Sequence, residues 1–355
     1  MPEPSVSVAL VFNHVGEDEY EKLKEVDPNS LGFKPEYDIH VATVLEEYQE
    51  IQKALESAGY KVSLLNMDDD LDRLLALLKN PPDVVFNLVE YFREDPKLEH
   101  MVAGLYELFR VPYTGAPPFA LALCQRKGLT KQLLMKNGVL TPRFHLLFKP
   151  HLKTRHGLRY PLIVKPARED ASMGVESSSV VYNLDQLMNR IEHAFHEFSP
   201  PILVEEFIMG RELHVAVLGN DPPEVLPILE YDFSELPEEV PPMITYAAKW
   251  DPLKEEFHRV HTICPARLPK RVEEKIRERA LQAYAVTNCR DYARIDMRLS
   301  TDNKVYVLEV NPNPDLTEGV SFMESAEKAG LSFKETLKRI VEMARARSHK
   351  PEPLL

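Results

Sequence analysis

Residues 293–311 read ARIDMRLSTDNKVYVLEVN, two alternating runs on either side of Asp302-Asn303. That dipeptide is compatible with a tight hairpin turn. With those two residues as the turn, Asp296 faces Glu309 and Arg294 faces Asn311. Side chains alternate along a strand, so all four project from one face. Directly opposed carboxylates have β-carbons only ~4.5–5.5 Å apart and repel each other. A hard divalent cation relieves that repulsion, with Asn311 as a third oxygen ligand. Magnesium favours such an incomplete carboxylate cage, completed by water and phosphate oxygens, and manganese is an alternative. The same spacing also fits an exposed hairpin whose charges sit in solvent, so the surrounding segments decide.

Upstream, Lys165 closes the run YPLIVK and precedes Pro166. It sits at a strand end, either aimed at a ligand or guarding a sheet edge. Glu205 and Glu206 follow PILV, and Phe207-Ile208 continue the run. This suits an extended hinge whose backbone reads a flat base, and it equally suits a solvated strand end. Glycine excludes the usual phosphate loops. There are 13 glycines in 355 residues, and nowhere do they form G-x-G-x-x-G or G-x-x-x-x-G-K-[ST]. His193 with His196, and His258 with His261, read as surface residues with no third ligand evident. Cys124, in an alanine-leucine helix, reads as a small core residue.

The net charge of −13 argues against nucleic acid or an anionic membrane as partner. No apolar run approaches the ~18 residues of a membrane span. Met1-Pro2-Glu3-Pro4 is followed by no signal-like stretch, and Cys124, Cys264 and Cys289 show no paired spacing. The expected location is the cytoplasm. Residues 1–150 alternate strand patterns (5–12, 61–65, 83–88, 111–114) with helix patterns (39–58, 69–79, 98–109), which predicts a small parallel sheet. Beyond them, 143–148, 162–165, 178–181, 202–207, 213–218 and 225–230 read as strands, and 127–136, 184–198 and 270–289 as helices.

Eight blocks in order carry a family resemblance: VPYTG (111–115), QRKGLTKQLL (125–134), YPLIVKPARED (160–170), ILVEEFIMGRELHVAVLG (202–219), AAKW (247–250), YARIDMRL (292–299), LEVNPNPDLT (308–317) and AGLSFKETL (329–337). Over these blocks the chain resembles the ATP-grasp superfamily, and most closely its D-alanine–D-alanine ligase-like branch. The resemblance implies an α/β and α+β protein with the ATP-grasp fold. An N-terminal α/β domain (1–122) would precede two α+β subdomains (123–210 and 211–345) that clasp ATP, with 346–355 as a tail. It places Lys127, Lys165 and Lys249 on ATP phosphates, the hinge Glu205, Glu206, Phe207 and Ile208 on adenine, and Glu212 on ribose. Asp296, Glu309 and Asn311 match the magnesium ligands, and Arg294 matches the arginine for the reacting carboxylate and acyl phosphate. Residues 167–174 align with a mobile loop over the phosphates, where Asp170 and Ala171 take small-residue positions and Ser172 keeps a hydroxyl.

The implied activity is an ATP-dependent carboxylate–amine ligase acting on small molecules and releasing ADP, and a homodimer is expected by the same likeness. Another acceptor class, or a non-catalytic ATP-binding regulator, are the alternatives. The departures fall on the substrate half. Residues 13–23 (NHVGEDEYEKL) do not fit the family's first substrate loop, and in 87–100 (NLVEYFREDPKLEH) only Glu94-Asp95 matches its later one. Asp315 stands where the family has the glycine whose N–H binds the oxyanion. Val320 replaces a hydroxyl expected near the second substrate's carboxylate, with Ser321 beside it. D-alanyl-D-alanine is therefore not the expected product, and Asp315 is expected to receive an ammonium or guanidinium.

Overall fold

The structure is a computed structural model that describes residues 6–16, 19–169 and 172–347. Pro2 to Pro4, Asp170, Ala171 and the end of the tail lie outside the described residues. β1 (Ser7–Phe12) is almost wholly buried and sits between β2 (Lys61–Asn66) and β3 (Val84–Asn87) in a three-stranded parallel sheet. Parallel neighbours need crossovers, and α1 (Val44–Ser57) and α2 (Leu71–Lys79) supply them. α1 starts later than its apolar pattern implies. Thr43 Oγ1 accepts from Glu46 N at 3.3 Å while Glu46 Oε2 accepts from Thr43 N at 2.9 Å, a reciprocal cap that fixes the first turn. Residues 111–114 form one bridge, Val85 to Tyr113, because Pro112 has no N–H to extend a ladder. α3 (Glu99–Leu108) and α4 (Pro118–Cys124) pack beside it, and Cys124 is buried.

α5 (Lys127–Lys136) leads into a four-stranded antiparallel sheet of β4 (Phe144–Leu147), β5 (Leu162–Pro166), β6 (Val180–Val181) and β7 (Ile202–Glu206), ordered β4-β7-β5-β6. α6 (Leu184–Glu197) covers one face, through Leu187, Ile191 and Ala194 against Leu162, Val164, Ile202 and Val204. Alternation sends Ile163, Lys165 and Glu205 to the other face.

A larger sheet runs in the order β11-β10-β8-β12-β13. It comprises β8 (Gly210–Leu218), β9 (Glu224–Val225), β10 (Leu229–Asp232), β11 (His261–Ile263), β12 (Tyr292–Ser300) and β13 (Val305–Asn311), with β9 beside β8. The run expected as one strand over 225–230 is split at Pro227, whose missing N–H interrupts the ladder. α7 (Tyr246–Trp250) and α8 (Glu255–Arg259) follow a loop that holds Pro237, Pro241 and Pro242. α9 (Lys270–Val286) lays Ile276, Ala280 and Ala283 on the apolar face made by Val215, Val217, Ile295, Met297, Val305 and Val307.

The hairpin reaches its expected pairing by two irregularities that offset each other. Asp296 faces Glu309 and Arg294 faces Asn311, but Met297 faces Val307 and Leu299 faces Val305. The turn is one residue longer than the dipeptide reading: Ser300 N donates to Lys304 O at 2.9 Å, and Asn303 takes a left-handed φ of 59°. Leu308 then bulges out as an unpaired extra residue. Val305 and Val307 face the core, so strict alternation would bury Glu309 with them; the bulge returns Glu309 and Asn311 to the polar face.

Two helices not read from sequence, α10 (Ser321–Lys328) and α11 (Phe333–Arg347), close the N-terminal sheet. Leu337, Ile340, Val341 and Ala344, spaced i, i+3, i+4, i+7, share a core with Val8, Leu10, Leu55 and Phe86. α11 thus runs into the segment expected as a tail, and Arg347 donates to Tyr113 O at 2.5 Å and pairs with Asp291. Among the described residues no helix is long and apolar enough to cross a membrane.

Candidate active site

The two antiparallel sheets face each other across a cleft of roughly 900 Å³, and a second chamber of roughly 1120 Å³ opens beside it. Lys127, Lys249, Arg294 and Glu309 line both. The cleft's floor is the polar face of β8, β12 and β13. There Arg294 grips Asp296 with two bonds (Nε–Oδ1 2.7 Å, Nη2–Oδ2 2.9 Å), and Asn311 Nδ2 donates to Asp296 Oδ2 at 2.9 Å. Lys127, first residue of α5, lies 3.2 Å from Glu309. The repulsion expected between the opposed carboxylates is therefore already met by one protein cation each.

Burial pushes the Asp296 carboxyl up against the pull of Arg294. Burial acts on Glu309 the same way, but Lys127, Lys165 and Arg294 outweigh it and hold that carboxyl below its ordinary range. Lys249, in α7, is lowered by burial and by Arg294, and its ammonium stacks 4.7 Å from the Trp250 ring. Asp296, Glu309 and Asn311 together offer hard oxygen donors on one face, a set suited to magnesium.

The ceiling is the inner face of β5 and β7. β5 is an interior strand, so Lys165 guards no edge; it is 9% exposed and points into the cleft. Glu205 is not solvated either. It is 1% exposed and lies 2.7 Å from Lys131 and 2.9 Å from Lys165. Burial alone would raise Glu205, but the two ammoniums hold it lower than usual. Glu206 sits at the half-buried rim, accepting from Arg159 N at 3.0 Å.

Along the hinge, Glu206 N donates to Arg143 O and Phe207 N to Pro161 O, both at 2.9 Å. Ile208 O accepts from Arg298 at 2.7 Å. Arg298 lies 4.5 Å from the Phe207 ring centre and donates to Glu212 Oε2 at 2.8 Å. Ser172 lines the cleft with a left-handed φ of 62°.

Asp315 lines the second chamber, its Oδ1 accepting from Thr317 N at 2.8 Å. Ser321 lines neither space: its hydroxyl bonds His214 Nδ1 at 3.1 Å, behind Asp296. Burial, with Arg294 and Lys249 nearby, lowers His214 well below its ordinary range and keeps it neutral. Sequence reading missed Lys131, Arg298 and His214. Lys131 is i+4 from Lys127 on one helix face, and Arg298 and His214 continue the alternation of Asp296 and Glu212, so the signals were present.

His258 is a correction: it is buried, not superficial. Its Nδ1 accepts from Glu36 N and Tyr37 N (3.2 and 3.1 Å), and its Nε2 donates to Pro252 O at 2.8 Å. His261 gathers the exposed Glu36 and Glu235 at the surface, so it has neighbours that the sequence did not reveal. His193 and His196 are exposed as expected.

Two antiparallel sheets clasping a cleft, with lysines from one side and an acidic hairpin on the other, define the ATP-grasp class. The D-ala D-ala ligase C-terminus family model matches residues 138–342, more than half of the chain, which therefore belongs to the D-alanine–D-alanine ligase-like family of ATP-grasp proteins. It is an ATP-dependent ligase that forms carbon–nitrogen bonds. An uncharacterized protein, y4sG, of Sinorhizobium fredii is 33% identical over 305 residues, covering 83% of this chain and 86% of its own. A D-alanine–D-alanine ligase of Desulforamulus reducens is 30% identical over 311 residues, covering 84% and 93%. The structure of a Bacillus anthracis D-alanine–D-alanine ligase complexed with ATP shares the fold, with a TM-score of 0.73, 21% identity, and 98% and 99% of the two chains covered.

Proposed function

We propose that the chain joins a carboxylate to an amine through an acyl phosphate, with ATP in the cleft between the sheets and the two substrates in the second chamber. The observation that carries this is the shared mouth, where Lys127, Lys249, Arg294 and Glu309 line both spaces. A carboxylate oxygen attacks the γ-phosphorus and ADP leaves. The amine nitrogen then attacks the acyl carbon, the carbon–oxygen bond to phosphate breaks, and the nitrogen loses a proton. Lys249 and Arg294 line that mouth and Lys165 the cleft beside it, and their charge would stabilise the transition state, the main work a protein does in phosphoryl transfer. Glu206 N and Phe207 N are committed within the protein, so donation to the base falls to Ile208 N, with Glu212 placed for the ribose. Ser172 stands at the loop over the phosphates.

Asp296, Glu309 and Asn311 would hold magnesium, which supplies charge neutralisation at phosphate oxygens when bound. We also infer that the joined substrates are not two D-alanines, because Asp315 lines the substrate chamber where a carboxylate opposes an oxyanion. Pairing of two copies through the N-terminal domain is supported by Met101, Leu108 and Phe119, apolar side chains exposed on α3 and α4. Product analysis tests the chemistry: ADP and phosphate are expected, and AMP with pyrophosphate would overturn it. D-alanine-dependent phosphate release as efficient as that of a D-alanine–D-alanine ligase would overturn the substrate difference.

A further inference from the structure

We infer that Gln125 is a specificity residue whose side-chain amide donates to an oxygen acceptor, a carboxylate or carbonyl, on the amine substrate. This rests on the ligase reading above and names the group that its second chamber reads. Among the described residues, three amide side chains line that chamber: Gln125, Asn311 and Asn313. Two of them are engaged within the protein. Asn311 Nδ2 donates to Asp296 Oδ2 at 2.9 Å, and Asn313 Nδ2 donates to Glu99 Oε1 at 3.0 Å and to Val89 O at 3.2 Å. Gln125 differs: it is 8% exposed, and its Nε2 has no hydrogen-bond partner among the described residues. A buried N–H left unmet is costly, and a bound acceptor removes that cost.

The backbone fixes where this donor stands. Gln125 N donates to Leu121 O at 3.2 Å at the end of α4, Arg126 N donates to Leu123 O at 3.0 Å, and α5 begins at the next residue. Leu121, four residues earlier and so on the same face of α4, also lines the chamber and is buried. Lys127, Lys249, Arg294 and Glu309 line both spaces, whereas Gln125 lines the chamber alone, away from the mouth. The reacting carboxylate must meet the γ-phosphorus at the mouth, which leaves the amine component for the Gln125 side.

The chemistry of the donor names the group it reads. An amide N–H is neutral and pairs with an oxygen lone pair, not with a cation or a methyl group. No serine or threonine lines the chamber among the described residues, and Ser321 spends its hydroxyl on His214 Nδ1 at 3.1 Å. An amine without the acceptor leaves the amide unmet, and a site built on a hydrogen bond rejects such an analogue.

The test uses the full chain with ATP and magnesium. An amino acid supplies the carboxylate, and three amines are compared as its partner: an amino acid, its carboxamide, and the simple amine lacking both groups (alanine, alaninamide and ethylamine, then the serine, glutamate and lysine series, in both configurations). ADP release above that of the carboxylate component alone gives kcat/KM for each amine. Calorimetry on protein loaded with a non-hydrolysable ATP analogue gives its binding. The amino acid, its carboxamide or both should exceed the simple amine by about tenfold or more in kcat/KM. Gln125→Leu, or the unbranched Gln125→Met should the first not fold, should remove that advantage. KM for ATP should hold and the melting temperature should not fall, because the substitution deletes an unmet donor. Gln125→Glu separates the two acceptors: a greater loss for the amino acid than for its carboxamide marks a carboxylate, and equal losses mark a carbonyl. Equal turnover of the three amines, or an advantage that survives Gln125→Leu, would overturn the inference while leaving the ligase reading intact. So would a lower melting temperature with equal losses for all three amines, which marks a residue that serves only the fold. Amine binding that depends on Gln125 without ADP release would uphold the inference and overturn the ligase reading. Neither binding nor release would overturn both.

Discussion

Glu205 and Asp315 are both carboxylates facing the active site, and their surroundings are opposite. Glu205 is enclosed between Lys131 and Lys165, so its charge is neutralised before any ligand arrives. Asp315 sits on the loop after β13, half-buried, and lines the second chamber with Lys249 while its Oδ1 accepts from Thr317 N. The nucleotide end is thus a finished electrostatic structure, built on strands and the start of α5. The substrate end is built on loops, and its Asp315 is held less tightly. A shared cofactor and a particular substrate call for these two designs.

Breaking the finished end should have the largest effect on turnover. Asp296→Asn or Glu309→Gln is expected to lower kcat by about 10²–10³. Each also leaves a buried cation, Arg294 or Lys127, without its anion, so the melting temperature should fall as well. ADP release at saturating magnesium, beside a melting curve, checks both, and near-wild-type turnover would remove the hairpin from the chemistry.

Stability sharpens the contrast. Glu205→Ala leaves two buried ammoniums without their anion and should cost about 3–5 kcal/mol in urea unfolding. Asp315→Ala should cost about 1 kcal/mol or less, the value of a half-buried loop position. Equal costs would show that the two ends are not built differently. Acid adds a signature. Glu205 titrates lower in the folded protein than in the unfolded chain, where glutamate titrates near ~4.3. Its stabilisation is therefore present above that value and is lost as pH falls through the lower folded one. Wild type should lose stability in acid more steeply than Glu205→Ala.

Deleting Leu308 probes the bulge with a smaller effect. A regular ladder would still oppose Asp296 and Glu309, so the fold should survive, while the cleft loses an apolar wall and KM for ATP rises about several-fold. Unfolding of this variant would show that the bulge carries necessary twist. Thr43→Ala, which removes the cap of α1 far from either chamber, should cost about 1 kcal/mol and leave turnover alone.

The strand-built end was legible in the sequence because alternation fixes which side chains share a face, and Arg294, Asp296 and Glu309 needed little more. Even there, the pairing held for an incomplete reason, since a longer turn and the Leu308 bulge offset each other and neither leaves a clear local signal. Alternation also pointed to Arg298 and His214, which went unread because their partners, Ile208 O and Ser321, lie far along the chain. His258 looked superficial because backbone N–H groups of residues 36 and 37 bury it, and no pattern around 258 encodes that contact. Of the second chamber's lining carboxylates outside the hairpin, the sequence pointed only to Asp315. Glu90 and Glu99 sit in a loop and at a helix start, where no period relates them to Asp315, more than 200 residues away.

The acyl phosphate is the central claim, and isotope transfer tests it most directly. An amino acid that supports ADP release is labelled with ¹⁸O in both carboxyl oxygens and turned over with unlabelled ATP. Attack of that carboxylate on the γ-phosphorus, followed by breakage of the acyl carbon–oxygen bond, predicts one ¹⁸O in each phosphate released. Phosphate free of label would contradict the account.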